Sequence, residues 1–392
     1  MNLLVLSHKP PYPILDGGCH AMDRFLRDLL NAFPNSKIHY LCIATQKHRF
    51  QADKIPKDLN KIITFSSVAI STRINPWTAF THIVKNSSYH ISRFKKREIL
   101  NEIVRITKKE SLDYIFFESI FCGAFIDEII SLSEAKRVLR AHNIEHLIWK
   151  NLASNSKNLL KKWYLNHLSK TLRSFELEFV SKNDHVFSIS PIDSHYFKSH
   201  GFRQTNYIPV SMIGNESNTL KPNAICFLGA YNWMPNKEGL LWFANDIFPA
   251  LLKQHPALTF NIAGSFSDKI KGLRNKKQIV LHGFVPSSKA FIAQHGIFIA
   301  PILSGSGIKM KVLEAMSLGV PCVLSEHAAK GLDLPELIPV CNNNSDFIKQ
   351  VSLLLQNEDL AKKVGAQGLN YIKDNFASGL VSKKIKDILT KA

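Results

Sequence analysis

No CxxC pair and no cluster of histidine with cysteine occurs in the sequence; the six cysteines stand far apart at Cys19, Cys42, Cys122, Cys226, Cys322 and Cys341. That scatter excludes the common zinc and dithiol motifs. Contexts such as "AICFLG" and "PCVLS" read as buried thiols in a reducing cytoplasm. Also missing is any apolar run of about eighteen residues, so no transmembrane helix is expected. The start, "MNLLVLSHKPPYP", has no basic stretch and no cleavage site, and reads as a first strand rather than a signal peptide. Neither GxxxxGK(S/T) nor GxGxxG is present, which removes the P-loop and the dinucleotide fingerprint. Acid is scarce: 31 Asp and Glu against 50 Lys and Arg leave a net charge of +19. Nucleic acid, an anionic membrane surface or phosphate-bearing small ligands are the partners such a surplus suits. No nucleic-acid module pattern accompanies it, so nucleic acid is not expected as a partner.

What is present is an alternation of short apolar runs with longer amphipathic ones over 392 residues, too many for one core. Strands are expected at 2–7, 38–44, 112–119, 136–143 and 184–190. After the polar stretch "SMIGNESNTLKPN" (211–223), the same rhythm restarts with strands at 224–229, 258–264, 278–284, 296–302 and 321–326. Helices are expected near 236–254, 287–295, 308–318, 344–356 and 358–374. The fold class is therefore α/β, two doubly wound parallel-sheet domains in tandem, with ligands expected outside the carboxyl ends of the strands. The boundaries are a first domain over 1–210, a linker over 211–223 and a second domain over 224–374. Basic residues gather in helical stretches of the first domain, "SRFKKREILNEIVRITKKE" (92–110) and "NSKNLLKKWYLNHLSKTLR" (155–173). In the former, Phe94, Ile99, Ile103 and Ile106 recur at helical spacing. A core helix with a solvated face explains each one; a basic face lying on anionic lipid is the sharper reading.

Four stretches follow expected strands and carry polar groups. "PILSGSGIKMKVLEAM" joins a small-residue loop to a helix at about Ile308, and a helix N-terminus entered through Ser306 and Gly307 attracts phosphate. Lys309 and Lys311 add positive charge there. Glu314 shares Gly307's helical face and can accept two bonds from vicinal hydroxyls. "HKPPYPILDGGCHAMDRF" places Gly17 and Gly18 before a helix. "RVLRAHNIEH" places His142, Asn143 and Glu145 just past a strand end, and "FLGAYNWMPNKEGLLWF" has Gly229 at a strand end and Lys237 near a helix start.

In their order and spacing these stretches, together with "FELEFVSKNDHVFSISPID", "NIAGS", "VLHGFV" and "LGVPCVLSEHAAKGL", resemble the GT-B-fold glycosyltransferases, specifically the family 4 group of bacterial sugar transferases. The resemblance covers most of the chain. It implies two Rossmann-like domains facing across a cleft, an acceptor-side first domain, a nucleotide-sugar-binding second domain, and a last helix (375–392) packing back on the first. It implies that Glu314 binds the ribose and that Ser306, Gly307, Ile308, Lys309 and Lys311, with Lys237, hold the diphosphate. Gly17 and Gly18 would approach the phosphates, His142 would lie beside the transferred sugar, and Phe284 and Val285 near the base. His142 and Glu314 are the expected catalytic residues; Asn143 and Gly229 complete the donor-binding set. The implied reaction moves a hexose from a nucleotide sugar to a glycan or lipid-linked glycan hydroxyl in surface polysaccharide synthesis, with retention and without metal or other cofactor. The place would be the inner face of the cytoplasmic membrane. One departure stands out. Family members often carry two glutamates with seven residues between them, and here the first position is Ser306. That leaves open which group contacts the donor sugar, and keeps a non-catalytic scaffold as the alternative.

Overall fold

The computed structural model describes residues 1–215, 221–270, 272–274, 276–305 and 307–391. The chain forms two compact units, Met1–Val210 with Val381–Ala392, and Ser211–Leu380.

The N-terminal unit is built on a seven-stranded sheet of β1 (Asn2–Ser7), β2 (Lys37–Ala44), β3 (Ile63–Ala69), β4 (Tyr114–Glu118), β5 (Lys136–Ala141), β6 (His185–Ser188) and β7 (Thr205–Tyr207). Their order is β3-β2-β1-β4-β5-β6-β7, every pairing parallel. Alternate side chains of a strand point to opposite faces. Accordingly Leu4 and Leu6 of β1 join one core with Ile103, Phe117 and Phe179, while Leu3 and Val5 join the other with Phe25, Tyr40 and Phe187. Both faces are covered, which is why these strands read as unbroken apolar runs. Helix Arg97–Lys109 buries Ile99, Ile103 and Ile106 as their spacing requires; Phe94 is buried just ahead of it.

The C-terminal unit repeats the plan with β8 (Ala224–Leu228), β9 (Thr259–Ala263), β10 (Ile279–Gly283), β11 (Ile297–Ala300), β12 (Cys322–Ser325) and β13 (Val340–Cys341), in the parallel order β10-β9-β8-β11-β12-β13. Three strands, β3, β7 and β13, lie outside the sequence expectation. All are sheet edges, either short or, in β3, half exposed, so they lack the apolar run that marks a central strand.

The expected linker is only partly a linker. Met212 is buried in the C-terminal core, its N–H donates to Phe376 O (2.7 Å), and Asn215 N–H donates to Ser317 O (2.8 Å); residues 216–220 lie outside the described residues. Helix Ser378–Thr390 inserts Val381, Ile385 and Leu389, one turn apart, into the N-terminal core. Tyr114 Oη donates to Leu389 O (2.6 Å) at the end of this helix. The six cysteines are all free and buried.

Candidate functional site

The expected site residues fall at the carboxyl edges of the two sheets, and each edge has its own chemistry. In the N-terminal unit, β1, β4 and β5 end side by side, so Ser7, Glu118 and Ala141 deliver His8, Glu118 and His142 to the same edge. The Glu118 carboxylate is fully buried. Its Oε2 accepts from His142 Nε2 (2.6 Å) and from Arg140 Nη1 (2.8 Å). Arg140, also buried, donates to Ala21 O (3.1 Å) and lies 4.5 Å over the Phe25 ring, both on helix Gly17–Ala32. His8 Nδ1 bonds Glu118 O (3.0 Å). Burial alone would raise the Glu118 carboxyl, but Arg140 and His142 outweigh it and hold the group below its ordinary value, ionised. Burial, then Arg140, push His142 below its ordinary value despite Glu118, so the ring is neutral near pH 7. Burial, with Lys9 and His142, lowers His8 to about 3.

Asn143 is half-buried in the turn after β5. Glu176 pins that turn: its carboxylate accepts from Glu145 N–H (2.9 Å), His146 N–H (3.2 Å) and the His146 ring. Burial first, then the Glu176 charge, raise Glu145 to about 7.

Gly17 and Gly18 do open helix Gly17–Ala32, but its N-terminus already carries charge. Asp16 caps it by accepting from Cys19 N–H (2.9 Å), and Lys9 Nζ binds both Asp16 oxygens (2.7 and 2.8 Å). A ligand phosphate at these glycines would meet a paired Lys9–Asp16, not a bare helix end.

In the C-terminal unit the corresponding edge is formed by β8 and β11. Gly264, with φ +117°, packs so tightly that a Cβ would lie 2.0 Å from Gly229 O, which fixes the backbone at the end of β8. Beside Gly229, Lys311 Nζ donates to Asn236 Oδ1 (2.6 Å) and sits 4.5 Å over the Phe227 ring. Burial, with Lys309 adding repulsion, lowers Lys311 to about 7. The loop after β11 carries Gly305 at φ 102° and Gly307 at φ 71° and leads through Ile308 into helix Met310–Ser317, whose N-cap position is Lys309. Among the described residues no side chain caps that helix, and Lys309 Nζ turns back to Gly307 O (2.7 Å). Ser306 lies outside the described residues. Glu314, one turn after Lys311, accepts from Ser288 Oγ (2.6 Å) on helix Ser288–Ala293; burial raises its carboxyl, with Ser288 opposing. Phe284 is exposed just past β10, and Val285 lines a groove of 560 Å³ with Asn261 and His282. Lys311 and Glu314 lie outside that groove's lining, and so do the glycines of the loop. Lys237 is exposed in the first turn of helix Met234–Trp242.

The structure thus gathers Gly229 and Lys311 around Asn236, and sets Glu314 against Ser288. Sequence reasoning missed Glu118, Arg140, Asn236 and Ser288. The first two had a signal: a charge inside an apolar strand run, as in "YIFFES" and "RVLRAHN", must be buried with a partner.

Residues 222–357 match the family model described as Glycosyl transferases group 1. Over 397 residues the chain is 25% identical to an uncharacterized 44.6 kDa protein in the cps region of Klebsiella pneumoniae, covering 98% of each. Among solved structures it is similar to HepE of Anabaena in complex with UDP (12% identity, TM-score 0.69, 100% of each chain). It is also similar to a TarM variant of S. aureus in complex with Fondaparinux, alpha-GlcNAc-glycerol and UDP (12%, 0.68, 99% of each). Sucrose-phosphate synthase of Thermosynechococcus elongatus is a third (11%, 0.69, 100% of this chain and 99% of that one).

Proposed function

We propose that this GT-B glycosyltransferase, whose C-terminal unit carries the glycosyl transferases group 1 match, moves a hexose from a nucleotide sugar to a hydroxyl of a glycan or lipid-linked glycan in surface polysaccharide synthesis. The observation that carries it is helix Met310–Ser317. It opens from a positive-φ glycine loop at the edge of a parallel sheet and presents Lys311 and Glu314 one turn apart. Lys311, Lys309, Lys237 and the helix N-terminus supply the positive field a leaving diphosphate requires, the role a metal would otherwise fill. Glu314 exchanges its Ser288 bond for two ribose hydroxyls. His142 contacts the transferred sugar, and the outcome is retention. HepE and TarM were solved with UDP, and the cps-region relative accords with a polysaccharide role.

Docking on an anionic inner membrane face is supported by a single patch of the N-terminal unit. Trp77 (78% exposed) stacks on exposed Phe80, and Leu159 (80%), Leu160 (81%) and Trp163 (58%) project from the start of helix Leu159–Ser181. The short helix Tyr89–Ser92 packs against both helices that carry these groups. Exposed Lys85, Lys150, Lys157, Lys161 and Lys162 flank them. Aromatic and leucine tips among lysines match the interfacial zone of anionic lipid.

The experiment is a thermal-shift screen of UDP-, GDP-, ADP- and CMP-sugars and their nucleotides, UDP-sugars first. A ligand bound at 100 times its Kd stabilises the folded chain by about 2.7 kcal/mol. A raised midpoint with one base names the donor class. No shift with any of them counts against transfer and in favour of a scaffold.

A further inference from the structure

The buried ion pair at the end of β4 has no role in the reaction as assigned above, yet it is costly. Taking a carboxylate and a guanidinium out of water carries a desolvation penalty for each, and a well-packed apolar pair of similar volume often does as well. Glu118 is 0% exposed and Arg140 1%, whereas the His142 side chain that completes the cluster is 12% exposed. The cluster therefore has one open member. A second irregularity adjoins it. Ser119, the residue after Glu118, is held at φ 139°, ψ 157°, a region otherwise left to glycine. Such strain persists only where the surrounding structure imposes it, most often at functional sites.

We propose that Glu118 is a positioning residue that locks His142 as its Nε2–H tautomer, so that the ring offers Nδ1 as a hydrogen-bond acceptor to a substrate hydroxyl. The chemistry follows from the contacts. An ionised carboxylate only accepts, so Nε2, 2.6 Å from Glu118 Oε2, carries the hydrogen; Arg140 Nη1, itself a donor, gives its hydrogen to the same oxygen (2.8 Å), and its 3.2 Å approach to Nε2 is a contact between two donors. A neutral imidazole then has its lone pair on Nδ1, and no bond to that atom is formed among the described residues. Arg140, with Nη1 3.2 Å from Nε2, and Lys9 oppose a second proton on the ring, and His8 faces the cluster from the end of β1. Glu118 alone would favour protonation; the guanidinium beside it cancels that and keeps the orienting bond. The ring so held discriminates: it accepts from a hydroxyl and repels a group without a hydrogen to give. This assignment rests on the transferase reading for the identity of the hydroxyl, but not for the tautomer.

The test uses the full chain labelled with 15N-histidine, the His142 signals being identified by their loss in His142→Gln. At pH 7.5 the wild type should show one protonated nitrogen, Nε2, and one pyridine-like nitrogen, Nδ1. A double variant, Glu118→Met with Arg140→Met, removes the carboxylate without stranding the guanidinium. It should retain its unfolding midpoint to within a few degrees, give a mixed or Nδ1–H ring, and lose about ten- to a hundredfold in kcat/KM, the range of one lost hydrogen bond to a substrate. Of a set of singly deoxygenated donor sugars, one should be a poor substrate for the wild type and no poorer for His142→Gln. A wild-type ring that is Nδ1–H or doubly protonated overturns the assignment, as does a double variant with an altered ring and full kcat/KM. The ring measurement needs no donor, so its failure sinks the positioning role alone; failure of every nucleotide in the thermal-shift screen sinks the transferase reading instead.

Discussion

The two sheet edges are built alike and charged differently. The N-terminal edge holds a set closed around one oxygen: Glu118 Oε2 accepts from both Arg140 and His142, and Lys9 is paired with Asp16, while Glu118 Oε1 and Arg140 Nε have no hydrogen-bond partner among the described residues. The C-terminal edge holds displaced single charges: Lys311 lowered to about 7, held by Asn236 Oδ1 over the Phe227 ring, and Glu314 raised, with Ser288 donating to it. A closed set is organised before a ligand arrives and suits a neutral hydroxylated group. Displaced charges are relieved when a ligand of opposite sign or matching hydroxyls arrives, which suits a nucleoside diphosphate. The same architecture therefore carries two different electrostatic arrangements, one at each sheet edge.

The sharpest way to break this comparison is to delete one cation from each edge. Arg140→Met alone should destabilise the protein by about 3–5 kcal/mol in urea unfolding, because Glu118 is left buried and uncompensated. Lys311→Met should cost little or nothing, since the lysine is already a desolvated misfit. Equal losses would erase the distinction. Next in size, Glu314→Ala should weaken nucleotide-sugar binding about 10- to 100-fold by calorimetry, the loss of two charge-assisted bonds; unchanged affinity contradicts its ribose role.

Lys311 then sets a pH dependence. Folding lowers its pKa from 10.5 to about 7, so between those values the unfolded chain binds the extra proton and stability from this group rises with pH. Below about pH 7 both states are protonated and the penalty is constant. A diphosphate bound beside Lys311 would restore the proton. Affinity for a nucleoside diphosphate should therefore tighten as pH falls from 9 to 7, by up to about tenfold per unit, and Lys311→Met should flatten that slope in titrations across the range.

The smaller effects concern what the comparison leaves outside the two edges. Trp77→Ser with Trp163→Ser should reduce co-sedimentation with phosphatidylglycerol vesicles several-fold and leave transfer to a soluble acceptor unaltered; full retention on the vesicles removes the patch from membrane docking. EDTA should leave transfer intact, and a loss restored by a divalent ion would overturn the metal-free mechanism.

Much of this was legible in the sequence because its cause is local. Central strands such as "NLLVLS" and "AICFLG" are buried on both faces and so are apolar throughout, and "GSGIKMKVLEAM" declares its loop and helix by glycine and period. Ile99, Ile103 and Ile106 announced their buried face by spacing alone. The edge strand β3 did not, since half its residues meet solvent. Position decided the rest. Whether Glu118 and Arg140 are partners depends on β4 lying beside β5, and whether Lys311 is starved of water depends on Phe227 and Asn236, more than seventy residues away. Sequence by itself determined the central strands, the long amphipathic helices and the residue types that stand at their ends, because propensity and period act within a few residues. Only the tertiary structure decided which charges are paired and which are stranded, because burial and Coulomb interaction depend on distance in space, not along the chain.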